Sequence, residues 1–90
     1  MKYKLFKTNQ FKRAFKKLRL SDSQEQAFID VVYKLLNSIE LEKKYKDHVL
    51  TGKYADFNEC HLKPDLLLIY QINNGILKLV DIGSHSTLFD

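Results

Sequence analysis

The chain is poor in the residues that cross-link or interrupt a small domain: one cysteine, Cys60, one proline, Pro64, and three glycines. A lone cysteine cannot close an internal disulfide, so no covalent framework holds the fold and a reducing compartment is expected. No apolar segment approaches the length of a membrane span. The opening stretch Met1-Lys2-Tyr3-Lys4-Leu5-Phe6-Lys7 scatters charges where a secretory signal needs an apolar run, so a cytoplasmic location is expected. Repeats, low-complexity tracts and linkers are missing too. Ninety residues suffice for one core, so residues 1–90 are read as a single domain.

Acidic residues are missing from the first twenty positions. That stretch carries Lys2, Lys4, Lys7, Lys12, Arg13, Lys16, Lys17 and Arg19, eight of the fifteen basic residues, in a chain of net charge +4. Such a block is either the footprint of a polyanion or an acidic protein partner, or simply a solvated helix face.

The periodicity then sorts the chain into elements. Residues 2–7 are expected as a short strand. Thr8 or Asn9 caps a helix whose stripe is Phe11, Ala14, Phe15 and Leu18, spacing that marks core side chains rather than base-stacking platforms. Ser23 and Gln26 fit a capping box for a second helix striped by Phe28, Val31, Val32, Leu35, Leu36 and Ile39. The two helices should form an αα-hairpin over one sheet face. Residues 40–52 lose periodicity and read as a long ordered loop. Phe57 to Leu62 alternate, which puts Cys60 and Leu62 against the helices and turns Glu59 and His61 away from them. Leu66 to Tyr70, bounded by Pro64 and by Asn73-Asn74-Gly75, read as a strand buried on both faces. Asn74-Gly75 is a two-residue type I′ turn signal. Paired residues then sum to 149, which sets Asp65 opposite Ser84 with His85 in diagonal reach. The fold class is therefore α+β, with an antiparallel core sheet.

Three histidines, His48, His61 and His85, sit beside loops or strand ends in the second half of the chain. Imidazole gives and takes protons near neutrality. RNA cleavage by internal transfer needs a base for the 2′-hydroxyl, an acid for the leaving 5′-oxygen and cations for the phosphate. Each acid–base group is worth roughly 10²–10⁴-fold. Asp65 is the candidate to orient an imidazole, though it also suits the turn after Pro64. Glu59 suits a supporting role or a solvated strand position. A zinc site from His61, His85 and Asp65 is the weaker reading, because neither CxxC nor HxxxH spacing occurs. No metal or cofactor is expected.

Three stretches resemble the YafQ-type toxins of the RelE/ParE superfamily. They are Tyr45-Lys46-Asp47-His48-x-Leu50-x-Gly52, then Glu59-Cys60-His61-x-Lys63-Pro64-Asp65-x-Leu67-Leu68-Ile69-Tyr70, then Gly83-Ser84-His85-Ser86-x-Leu88-Phe89. The resemblance covers about half the chain, and the helical half matches only in layout. It implies a β-α-α-β-β-β order and a toxin that cuts messenger RNA at the decoding site of the ribosome, contacting small-subunit ribosomal RNA. It also implies restraint by a cognate antitoxin, with operator DNA reached only through that antitoxin and no membrane involved. His48, His61, His85 and Asp65 fall at the family's active-site positions. Phe89 matches a residue that stacks or positions RNA, and Glu59 matches an acid linked to activity.

One position departs from the pattern. Four residues before the last histidine some relatives carry an arginine that steadies the scissile phosphate, and here the residue is Asp81. The nearest cations in sequence are Lys53 and Lys63. The rival readings are a gyrase-poisoning toxin without nuclease activity and a catalytically impaired RNA-binding relative. The histidine set argues against the first, because binding a topoisomerase requires no proton shuttle.

Overall fold

A computed structural model describes residues 2–89. Strand β1 (Lys4–Lys7) leads into helices α1 (Asn9–Leu18) and α2 (Asp22–Leu36). Four strands follow, β2 (His48–Val49), β3 (Asn58–Lys63), β4 (Leu66–Asn73) and β5 (Ile76–Gly83), and the short helix α3 (His85–Phe89) ends the fold. The sheet order is β1-β5-β4-β3-β2. Only β1 runs parallel to its neighbour, β5, so the α+β class and the antiparallel centre stand.

Thr8 caps α1 by accepting from the Phe11 N–H. The capping box of α2 lies two residues earlier than the Ser23–Gln26 expectation. Ser21 accepts from Gln24 N–H, and the Gln24 side chain accepts from Ser21 N–H. Both serines offer a hydroxyl with a glutamine three residues on, so the sequence pattern cannot separate the two frames. The helix ends at Leu36, which leaves Ile39 outside the stripe and 45% exposed.

Two clusters of apolar side chains form on opposite faces of the sheet. The larger packs Phe11, Val31, Leu35, Cys60, Leu62, Leu68, Tyr70, Leu77 and Leu79 beneath the helices. The smaller joins Leu67, Ile69, Val80 and Leu88, with Leu50, Tyr54 and Phe57 laid over it. β4 supplies alternate residues to both clusters, and Leu66 to Tyr70 are all buried, as expected for a strand covered on two sides.

The stretch 40–52 is not a featureless loop. It holds a 3-10 turn at Lys43–Tyr45 and the two residues of β2, which pair His48 with Glu59 and Val49 with Asn58. Two residues of strand are too few for any period to show in a sequence.

The β4–β5 hairpin begins in the expected register. Asn74 and Gly75 have φ of +53° and +77°, the left-handed pair a type I′ turn requires, and residues from Asn73↔Ile76 to Tyr70↔Leu79 sum to 149. Between Ile69 and Tyr70 the register shifts, and Ile69 pairs with Asp81. This bulge moves every later position of β5 by one, so Asp65 aligns with His85 rather than Ser84.

Candidate functional site

Glu59 is the centre of the first half of the site. It alternates away from the helices with His61, and its pairing with His48 sets all three on the same sheet face. Glu59 is 5% exposed. Its Oε1 lies 3.4 Å from His48 Nε2 and 3.2 Å from His61 Nε2, with the two rings 6.2 Å apart. His48 Nδ1 stands 2.6 Å from the Lys46 carbonyl. That oxygen only accepts, so Nδ1 is the donor and Nε2 is the atom turned toward Glu59.

Asp65, His85 and Phe89 make the second half. Asp65 Oδ1 accepts from the backbone N–H of His85 at 3.1 Å, so its contact is with the start of α3 rather than with an imidazole. Ser84 helps hold that turn, its Oγ accepting from Thr87 N–H. The His85 and Phe89 rings lie one helical turn apart with centroids 5.1 Å apart, and Tyr54 meets Phe89 edge-on at 5.9 Å. Tyr54 was not singled out by the sequence; its only signal is an aromatic side chain in an otherwise polar stretch.

The two halves face each other across β4. His61, Leu67 and Gly83 form one row over three strands. Gly83 therefore lies about two strand spacings, roughly 10 Å, from His61, and His85 starts two residues further on. His48, His61 and Glu59 are gathered directly, whereas Asp65, His85 and Phe89 stand on the far side of β4, with Leu67 and Ile69 buried between under Leu50, Tyr54 and Phe57. Among the described residues, no group of three or more His, Cys, Asp or Glu side chains has an arrangement that could hold a metal ion.

Buried tyrosines anchor the His48 segment. The Tyr70 hydroxyl donates to Asp47, and the Tyr45 hydroxyl donates to Asp30 on α2 at 2.8 Å. Burial and then the Asp47 bond push the Tyr70 hydroxyl well above its ordinary range. Burial and then the Asp30 bond push Tyr45 up to about 12. Burial, with the charges of Asp47 and Glu59, also raises the Cys60 thiol far above its usual value, which fits an inert core residue.

Asp81 shares the row of Glu59 and Ile69 but does not address the histidines. Its carboxylate accepts from Gln10 Nε2 on α1 and from its neighbour's amide, Ile82 N–H. Of the two lysines nominated to replace a cation there, Lys53 lies over the Tyr54 ring, 5.4 Å from its centroid. Lys63 lines a cavity of about 410 Å³ together with Lys44, Lys46 and His61. Lys44 and Lys46 were not singled out, although the basic run at positions 43–46 is visible in the sequence.

Comparison with known proteins places the fold in a family. Residues 3–90 match the family described as "Bacterial toxin of type II toxin-antitoxin system, YafQ". The mRNA interferase toxin YafQ of Escherichia coli K12 is 36% identical over 53 residues, 59% of this chain and 58% of that protein, so the match spans little more than half of the curated relative. A copper-bound mutant toxin from Helicobacter pylori superposes with a TM-score of 0.87 at 37% identity, covering 97% of this chain and 99% of that one. A chain of the E. coli DinJ-YafQ complex superposes with a TM-score of 0.84 at 26% identity, covering 98% and 99% respectively.

Proposed function

This chain belongs to the YafQ family of bacterial type II toxin–antitoxin toxins, and from that premise we propose that it is a metal-independent mRNA interferase acting on ribosome-bound message. The observation that carries the reading is the pair of imidazoles, His48 and His61, set within hydrogen-bond distance of one buried carboxylate, Glu59. Across β4 stands a third imidazole, His85, beside an exposed aromatic ring.

In the reaction, the 2′-oxygen attacks phosphorus as its proton passes to an imidazole. The bond from phosphorus to the 5′-oxygen breaks, and a second imidazole protonates that leaving oxygen. The products are a 2′,3′-cyclic phosphate and a 5′-hydroxyl end. His48, His61 and His85 divide the proton transfer and charge stabilisation. Glu59 exchanges a proton with either neighbouring ring, and acid–base groups of this kind are worth roughly 10²–10⁴-fold each. Asp65 fixes where His85 begins, and Phe89 offers a face to an unstacked base.

The eight basic residues of the first twenty are all exposed. They support contacts to small-subunit ribosomal RNA phosphates and docking of an acidic antitoxin segment that folds on binding. Operator DNA is reached through that antitoxin. Among the described residues, no helix is long and apolar enough to cross a membrane, and action in the cytoplasm follows from the ribosomal target.

The test is cleavage by purified protein of a message programmed on ribosomes, with free RNA as the control. Cutting only in the presence of ribosomes is expected. Intact message together with inhibited DNA supercoiling would replace the nuclease with a gyrase poison.

A further inference from the structure

The outer edge of β3 is only half covered. β2 pairs with Asn58 and Glu59 and stops there, so β3 from Cys60 onward has no strand on that side. The 3-10 turn Lys43–Tyr45 stands off this edge, and between them lies the cavity of about 410 Å³. Its lining carries the ammonium-bearing side chains of Lys44, Lys46 and Lys63 together with His61, and no acidic residue is among them. The volume falls in the lower part of the ~300–1,000 Å³ range of ligand pockets.

A second, more open cavity of about 520 Å³ shares Lys44, Tyr45 and Lys63 with the first and continues to Ser23 and Gln26 at the start of α2. One acid, Asp30, lines this extension, and it is already engaged by the Tyr45 hydroxyl and by Lys34 Nζ at 3.3 Å. Lys44 is 3.8 Å from Glu42 in an exposed pair. Among the described residues, no carboxylate lies within ion-pair distance of Lys46 or Lys63.

We propose that this trough is a subsite for the RNA strand beside the cut, in which Lys46, Lys63 and Lys44 hold the phosphates flanking the bond addressed by His61. The proposal rests on the nuclease reading. Its carrying feature is continuity: a proton-transfer side chain shares one cavity with three lysines over an apolar base of Ala27, Leu62 and Pro64, and the lysines continue into the second cavity with its hydroxyl and amide groups. A flexible single strand meets its needs there, since phosphates repeat along it and lysine binds them as point charges. The trough also answers the departure at Asp81. The cationic charge missing from β5 is supplied from the opposite side of His61, so the phosphate is steadied from the β3 edge.

Three variants test the idea: Lys46→Gln, Lys63→Gln and the pair together, with Lys63→Arg as the charge-keeping control. Each is measured for KM and kcat on ribosome-bound message, for affinity toward a short RNA carrying a 2′-deoxy residue at the cut, and for its melting temperature. KM and Kd are expected to rise about threefold per lysine, the scale of an exposed ion pair. The slope of log affinity against log salt should fall by about 0.7 for each lysine replaced by glutamine. Lys63→Arg should stay near the parent. Unchanged KM, Kd and salt slope in the double variant, with the parent still cutting message, would overturn the subsite and leave the nuclease reading intact. Normal cutting by the double variant with loss of inhibition by the antitoxin would also overturn it, making the trough a protein-docking site. A parent that cuts nothing sinks both.

Discussion

His61 and Glu59 stand two positions apart on one strand, and Nε2 of the first lies 3.2 Å from Oε1 of the second. Because Glu59 is nearly buried while His61 keeps a quarter of its side-chain surface open, the carboxylate is reached through the ring. Glu59→Gln keeps the shape and an acceptor oxygen but removes the carboxylate that exchanges a proton with the two rings. Cleavage on ribosomes should slow about 10²-fold, the lower end for an acid–base participant, with the melting temperature little changed. Equal rates in single-turnover assays would reduce Glu59 to a structural residue.

Asp65 offers a sharper distinction between two roles. Its observed bond is to the His85 amide, a contact that an asparagine oxygen can also make. Asp65→Asn should therefore keep most of the activity and Asp65→Ala should lose it, as α3 and the His85–Phe89 pair shift. Comparable loss in both variants would show that the negative charge matters, as an imidazole-orienting carboxylate requires.

Alkaline pH should unfold the protein in a defined window. The Tyr45 hydroxyl holds its proton up to about 12 when folded, against an unperturbed value of 10.0. The unfolded chain thus loses that proton first, and stability falls as pH rises from about 10 toward 12. Tyr70 and Cys60 act in the same direction. Melting curves across this range should be flatter for Tyr45→Phe than for the parent, after allowing for its lower starting stability. A parallel pair of curves would remove Tyr45 from the explanation.

Asp81→Arg should have opposite effects on activity and stability. The carboxylate reaches Gln10 on α1, so an arginine there brings its cation toward the site only by leaving that partner and turning along β5 toward α3. It also deprives Gln10 and the Ile82 amide of their acceptor, a loss of about 1–3 kcal/mol for a buried partner. Denaturant titration should register the cost while kcat per folded molecule rises. An unchanged or lower kcat would mean that the lysines of the β3 edge already suffice.

The sequence was most legible where a single period or turn decided the outcome. The stripe from Phe11 to Leu18, the doubly buried run Leu66 to Tyr70 and the Asn74-Gly75 turn each rest on local chemistry, and each is where it was expected. It was least legible where tertiary pairing decided. The bulge opposite Ile69 and Tyr70 has no local marker, yet it moves Asp65 from Ser84 to His85. The strand at His48–Val49 exists only because β3 offers it an edge. Pairing of Glu59 with both His48 and His61 depends on that same edge, so the sequence pointed to three histidines without showing which two share an acid.

The most direct measurement maps the 5′ ends of cellular messages after induction of the parent, His61→Ala and His85→Ala. New 5′ ends within translated regions are expected for the parent, and both variants should lose those ends together with the toxicity. Undiminished toxicity in both variants, with no new ends in any strain and with supercoiling lost, would contradict imidazole-driven cleavage of message.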